Sequence, residues 1–419
     1  MDLVRYPEYK DSSIGWIGEI PEYWEIKRFK SCFSYVKGKK PLYETDSYDK
    51  DKFPYLSMEY LRENESTTYC LEDHVSIKVN DGDLLLLWDG SNAGEFILGK
   101  HGYLSSTMVK LILKEILSFD YSKYCCQVIE PVLKKLTIGM GIPHVNSNIL
   151  YNMPISVPPL TEQKQIANYL DNKIAKIDKT IENNQKLIEL LEEKRVALIN
   201  QVVTKGLNPD VEMKDSGIEW FGKIPEHWDI GLLKYLAELL NNKQEFANKS
   251  DKYIGLENIE SKSGRLLGYS TNGTDGSVNK FQKENILFGK LRPYLSKVII
   301  APFDGVCSTE ILVYSPNDNI LTKFLFYYML SNRFIEIVNS TTYGVKMPRA
   351  SQDIINNMSI LIPPLTEQKQ IVNYLDNKIA NLNRTKEKIE EQINLLEEYK
   401  ESLIYNVVTG KVDVRGEDI

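Results

Sequence analysis

The chain has 419 residues, 42% of them hydrophobic and 26% charged, with a formal net charge of -7. That length implies two to four folded units, and the composition excludes wholesale disorder. No apolar run reaches the roughly 18 residues of a membrane span, Met1 to Lys10 is too charged for a signal peptide, and the five cysteines show no CxxC spacing, so a cytoplasmic protein without disulfides or structural zinc is expected.

The chain opens on Asp11 to Trp24, DSSIGWIGEIPEYW. Two apolar runs follow, Asp83 to Trp88 and Met108 to Leu113, each bounded by Gly or Asn/Asp clusters. That pattern predicts buried strands. Tyr121 to Leu136 reads as a helix. Pro158-Pro159-Leu160-Thr161-Glu162 then signals a helix start, with Thr161 as the N-cap candidate and an acidic first turn. From there an apolar stripe runs through Ile166, Leu170, Ile174, Ile177, Ile181, Asn184, Ile188, Leu191, Arg195, Leu198 and Val202. After the first step it alternates by three and four, which predicts a coiled-coil helix roughly 60–65 Å long.

The same order then repeats. Asp215 to Trp228, DSGIEWFGKIPEHW, matches the opening segment at nine of fourteen positions. Strands are predicted at Ile286 to Phe288, Lys297 to Ala301 and Ile311 to Tyr314, and a helix at Leu321 to Asn339. Leu365 to Ala380 matches Leu160 to Ala175 at fifteen of sixteen positions, at an offset of 205. Its stripe continues through Ile371, Leu375, Ile379, Leu382, Lys386, Ile389, Ile393, Leu396, Lys400, Leu403 and Val407. The chain is a duplication. Four segments result: mixed regions at 1–157 and 207–362, and helical regions at 158–206 and 363–419. Because the copies are related by a pseudo-twofold, the two long helices are expected to pair antiparallel, giving an α/β fold plus long helices. Asn184 and Lys386 interrupt the stripe at different places, where a polar group either fixes register or meets solvent.

Chemistry is conspicuous by its absence. No GxxxxGK[ST], GxGxxG or HExxH motif occurs, and His74, His101, His144 and His227 are isolated in sequence. No catalytic residue, cofactor site or metal site is expected.

The motif PPLTEQKQIANYLDNKIAKID, its second copy, the paired IPEYW and IPEHW segments, and the stretches LWDGSNAG, LFGKLRPYLSKV and GVCSTEILVYSP together resemble the specificity (S) subunit of Type I restriction-modification systems. The resemblance covers essentially the whole chain. It implies that each mixed region is a target-recognition domain reading one half of a split DNA site. It also implies that the helices space the domains and dock two methyltransferase (M) subunits, that restriction (R) subunits join, and that the S subunit is non-catalytic. The alternative from the residues alone is a coiled-coil scaffold binding only proteins.

The acidic charge argues against DNA binding by net attraction, so local clusters must serve. Lys37, Lys39 and Lys40 form one; Lys290, Arg292 and Lys297 form another. Two stretches are candidate readers. Thr137 to Pro159 and Thr342 to Pro364 align without gaps, yet Met140, Gly141, Ile142 and His144 stand opposite Val345, Lys346, Met347 and Arg349. A shared frame with divergent polar tips suits two readers of different half-sites. Arg349 suits guanine, Lys346 guanine or phosphate, and Tyr343 flanks them. In the second stretch Lys290 and Arg292 alternate with Leu291, placing both on one side of an extended segment. Its counterpart carries Asp89, Ser91 and Asn92, either as readers of bases or as a side-chain-stabilised turn.

Overall fold

The computed structural model describes residues 4–63, 68–139, 141–245, 251–271, 276–344 and 346–416. The chain forms two compact units: residues 1–183 with 392–419, and residues 184–391. Each therefore holds one mixed region and portions of both long helices, Leu160–Lys205 and Leu365–Val408.

The first unit is built on a four-stranded antiparallel sheet in the order Phe96–Leu98, Leu84–Leu87, Met108–Leu113, Phe33–Lys37. The second repeats that order with Val298–Ile300, Ile286–Gly289, Ile311–Pro316 and Ala237–Leu240. Register is conserved as well: Met108 stands opposite Leu87, and Ile311 opposite Gly289. The central strands are buried on both faces, which is why they read as unbroken apolar runs rather than alternating ones. The units differ beside that sheet. The first adds a three-stranded sheet from Glu44–Thr45, Tyr69–Leu71 and Lys52–Pro54. The second adds a four-stranded one containing the parallel pair Tyr253–Ile254 and Gly305–Ser308.

Most predicted elements appear within a few residues of their expected bounds. Met108–Leu113 is a strand over its full predicted span, and the first mixed-region helix runs Phe119–Lys135. The predicted single helix at 321–339 is two, Thr322–Leu330 and Asn332–Ser340. Ser331 breaks it by adopting an extended backbone and accepting from Phe334 N through its hydroxyl, a local side-chain cap that competes with helix continuation. The long helices also start earlier than their threonines. Pro159 O accepts from Glu162 N and Gln163 N at 2.9 Å each, and Pro364 O does the same for Glu367 and Gln368. Thr161 thus lies inside the first turn rather than at its cap.

Within each unit the long helices run antiparallel. In the first, Ile166 and Leu170 share a core with Leu403 and Val407, and Asp178 bonds Lys400 Nζ at 2.6 Å. In the second, Val202 and Val203 share a core with Ile371 and Leu375, and Glu192 bonds Lys386 Nζ at 2.6 Å. Lys386 is thus a salt-bridged edge of the seam, not an isolated buried cation. Arg195 turns out of the seam too and donates to the Lys262 and Ser263 carbonyls at 2.6 and 2.5 Å. Asn184 keeps a buried amide nitrogen without a partner among the described residues.

The repeated motifs anchor each helix start to its mixed region. Gln163 accepts from Ser118 N at 2.7 Å and donates to the Ile116 and Pro158 carbonyls. Gln368 accepts from Leu321 N at 2.8 Å and donates to the Asn319 and Pro363 carbonyls. Both glutamines are wholly buried, so every hydrogen-bonding atom they keep paired avoids a desolvation cost. Two turns further on, the Tyr124 hydroxyl donates to Asp171 at 2.6 Å and that of Tyr327 to Asp376 at 2.7 Å. Burial first, and then the carboxylate, pushes both phenols above the usual tyrosine range. In the first unit the tail after the second helix returns to the opening segment, where Asp413 N donates to Val4 O at 2.8 Å.

Candidate nucleic-acid interface

Two stretches that lie far apart in sequence meet in each unit. In the first, Ile138 and His144 exchange backbone hydrogen bonds of 3.0 and 2.8 Å, closing a small hairpin. That hairpin is fixed to the end of strand Leu84–Leu87: Gly90 N donates to Pro143 O, and Val145 N to Trp88 O, at 2.9 Å each. In the second unit Tyr343 and Arg349 exchange bonds of 3.1 and 3.0 Å. Arg292 N donates to Pro348 O at 2.7 Å, and Ala350 N to Lys290 O at 2.9 Å. The two predicted reading stretches are therefore one surface in each unit, and the bonds fix their equivalence: Trp88 with Lys290, Gly90 with Arg292, His144 with Arg349.

The frame is backbone; the chemistry differs on top of it. Tyr343 and Met347 are exposed on the second tip, and Ile138 and Ile142 stand at the same positions on the first. Lys346 is exposed and makes no ion pair among the described residues. Met140 and Val345 lie outside the described residues. His144 is half-buried. Ser91 is exposed and Asn92 half-buried, in a turn closed by Ala93 N to Gly90 O and Glu95 N to Asn92 O. That turn rests on backbone bonds; Asp89 instead pairs with Lys37 at 3.0 Å, whose ammonium lies 5.5 Å from the Trp88 ring centre. Lys39 is exposed, and Lys40, also exposed, lies 3.7 Å from Glu44.

The expected straight alternation of Lys290 and Arg292 does not hold. Lys290 leaves the strand, but Arg292 adopts a left-handed backbone, φ 50° and ψ 61°, and starts a short 3-10 turn at Pro293–Leu295. Its counterpart Gly90 also has positive φ. A glycine meets that conformation freely; an arginine carries strain of order 1 kcal/mol. Lys297 is not part of the surface charge, because its Nζ donates to Leu256 O at 2.6 Å. Lys290 instead lines a polar cavity of about 450 Å³ with Asn241, Lys243, Asn279, Thr309 and Gln352.

Sequence reasoning missed Glu310. Its two carboxylate oxygens take one edge of Arg349, Oε2 accepting from Nε at 3.2 Å and Oε1 lying 3.0 Å from Nη2, while its carbonyl accepts from Lys290 N at 2.9 Å. In the first unit Thr107 O accepts from Trp88 N at 2.8 Å, so Thr107 occupies the equivalent place. The signal for Glu310 was its position just before strand Ile311–Pro316, whose register on Ile286–Gly289 sets it beside the end of the neighbouring strand.

A mixed sheet unit present twice, with a common loop frame and divergent tips, defines a duplicated recognition module. The family profile of the Type I restriction modification DNA specificity domain matches residues 21–193 and again 225–395. The Type I restriction enzyme MjaVIII specificity subunit of Methanocaldococcus jannaschii is 34% identical over 414 residues, covering 94% of each chain. The EcoDI specificity subunit of Escherichia coli is 24% identical over 302 residues, covering 67% of this chain and 68% of that one. Among solved structures, a chain described in terms of complex assembly and conformational transition of the type I R-M system superposes with a TM-score of 0.68 at 15% identity, covering 95% of this chain and 99% of that one. The HsdS subunit from Thermoanaerobacter tengcongensis superposes with a TM-score of 0.52 at 15% identity, covering 94% and 98%. The chain belongs to the Type I restriction-modification DNA specificity family. It is a DNA-recognition subunit of that class, not an enzyme.

Proposed function

We propose that each mixed region, 1–157 and 207–362, is a target-recognition domain that reads one half of a bipartite double-stranded DNA site. The helical segments, 158–206 and 363–419, set the spacing of the half-sites and dock two methyltransferase subunits, to which restriction subunits join. The hairpins at 137–145 and 342–350, with the strand ends beside them, carry the base-reading residues. One observation supports this most strongly: both units hold their hairpin by equivalent backbone bonds while His144, Asn92 and Ser91 on one surface replace Arg349, Tyr294 and Pro293 on the other. A frame kept by backbone and varied by side chain is what sequence-specific reading of different half-sites requires.

Phosphate attraction by this chain is weak, given its net charge of -7, so the methyltransferase subunits supply most of the backbone grip. No helix among the described residues is long and apolar enough to cross a membrane; action in the cytoplasm, where chromosomal and incoming DNA are met, suits the proposal. The test is a mobility-shift titration with the chain alone and with methyltransferase subunits, on duplexes with and without the site determined by methylome sequencing. Site-selective binding that tightens with the methyltransferase subunits is expected. A complex that binds all duplexes equally would refute the reading.

A further inference from the structure

The Arg349–Glu310 pair has a geometry that goes beyond a surface salt bridge. A guanidinium has five N–H donors in one plane. Glu310 occupies the side edge, formed by Nε and one Nη2 hydrogen. The end edge, one hydrogen from each terminal nitrogen, has no partner among the described residues, and that edge spans the O6 and N7 acceptors of guanine. The backbone on both sides of the pair is also fixed: Arg349 N and O are bonded to Tyr343, and the Glu310 carbonyl is bonded to Lys290 N. The Arg349 side chain keeps 44% of its surface exposed and that of Glu310 24%, so the arginine is outward and the glutamate lies behind it.

We infer that Arg349 and Glu310 act as one guanine-reading pair, in which Glu310 is a positioning residue that fixes the plane of Arg349 and the second half-site contains a G·C base pair read by it. The inference rests on the DNA-reading function proposed above. Its physical content is threefold. The held arginine loses less rotamer freedom when it meets the base, since the carboxylate has already ordered it. The pair is electrically neutral, so it adds little to phosphate attraction and acts on selectivity instead. The remaining guanidinium edge offers only donors, so it opposes a base edge that presents an amino donor, adenine N6 or cytosine N4, which penalises wrong sequences. The first unit has Thr107 and His144 at these places, so its half-site is read by different chemistry.

The experiment uses the full chain assembled with its methyltransferase subunits and measures methylation of duplexes carrying the methylome-determined site and all single-base variants of it. Glu310→Ala frees Arg349 without touching the Glu310 carbonyl bond. Arg349→Lys keeps the charge but loses the two-edged plane. Both are expected to cut discrimination at one G·C pair of the second half-site roughly tenfold or more, leaving the first half-site unchanged. Glu310→Ala should also steepen the salt dependence of binding, because Arg349 becomes a free cation. Glu310→Gln, which retains one acceptor oxygen, should fall between. The double variant should be no worse than Arg349→Lys alone. A second half-site without a G·C pair, wild-type discrimination in Glu310→Ala, or an equal loss at every position of both half-sites would overturn the inference. A wild-type complex with no sequence preference would instead overturn the DNA-reading function itself.

Discussion

Trp228 donates its indole N–H to Glu367 Oε2 over 3.1 Å, and this contact joins two motifs that each occur twice in the chain. The tryptophan ends the IPEHW segment; the glutamate lies in the first turn of the second long helix. The other copy makes the same bond, Trp24 to Glu162 Oε1 at 3.3 Å, and adds the hydroxyls of Tyr6 at 2.8 Å and Tyr23 at 3.0 Å. In the second unit His227 Nε2 lies 2.7 Å from the same Glu367 oxygen. Each carboxylate also sits at the positive end of a helix dipole.

Removing the Glu162 carboxylate strands three donors. Trp24 and Tyr6 are buried, so an unpaired donor there costs about 1–3 kcal/mol. Glu162→Ala should lower the stability of the first unit by roughly 3 kcal/mol, and Glu162→Gln, which keeps an acceptor, by about 1 kcal/mol. Urea titration followed by tryptophan fluorescence checks this. Equal small losses for both variants would show that the carboxylate is solvated rather than structural.

The same cluster gives an alkaline limit. Burial first, then Glu162, pushes the Tyr23 phenol up to about 12, and Tyr6 is raised further in the same direction. A phenol whose pKa is higher folded than unfolded stabilises the fold below about 10 and loses that contribution as pH rises toward the folded value. First-unit stability should therefore fall between about pH 10 and 12, and Tyr6→Phe with Tyr23→Phe should flatten that fall. An unchanged slope in the double variant would assign the alkaline loss to other groups.

Arg292 offers a test of function against stability. It holds a left-handed backbone where the other copy has Gly90. Arg292→Gly removes the strain but frees the unfolded chain, so thermal unfolding should show a change between zero and about 1 kcal/mol in favour of the variant. DNA binding by the assembled complex should weaken. If the variant instead loses stability by more than about 1 kcal/mol, the arginine side chain is part of the fold and not of the reading surface.

Much of this architecture is legible in the amino-acid sequence because duplication doubles every signal. The offset of about 205 residues marks the helix starts, the opening motifs and the loop frame, and the double-buried strands announce themselves as apolar runs. What stays hidden is non-local. The break at Ser331 depends on one hydroxyl turning back onto the backbone, against a helical propensity that favours continuity. Glu310 reaches Arg349 across a separation of 39 residues, and only the strand register brings them together. Arg292 reads as part of a strand because the left-handed turn that ends it is fixed by a bond to Pro348, on a different segment.

Exchanging residues 207–362 for the corresponding domain of another family member should change one half of the methylated site and leave the other half and the spacer as they were. Each hairpin surface proposed to read DNA is closed by bonds within its own unit, so neither tip needs the other for its shape. Methylome sequencing reads the result directly. A simultaneous change in both halves would show that the two readers are coupled.

Lys346 is the cation to set against Arg349. It is exposed on the second tip and makes no ion pair among the described residues, whereas Arg349 is held by Glu310. A free flexible ammonium behaves as a point charge and suits a phosphate. Lys346→Ala should weaken binding of the assembled complex to all duplexes evenly and reduce the slope of log affinity against log salt by about one unit, with site preferences unchanged. Arg349→Ala should do the reverse, relaxing one base position at about 1–3 kcal/mol with little change in slope. The measurement is a salt series of binding titrations on the cognate site and its single-base variants. A selectivity loss in Lys346→Ala that matched that of Arg349→Ala would place both side chains on base edges and move the phosphate contact to Lys290 or Lys243, which line the neighbouring cavity.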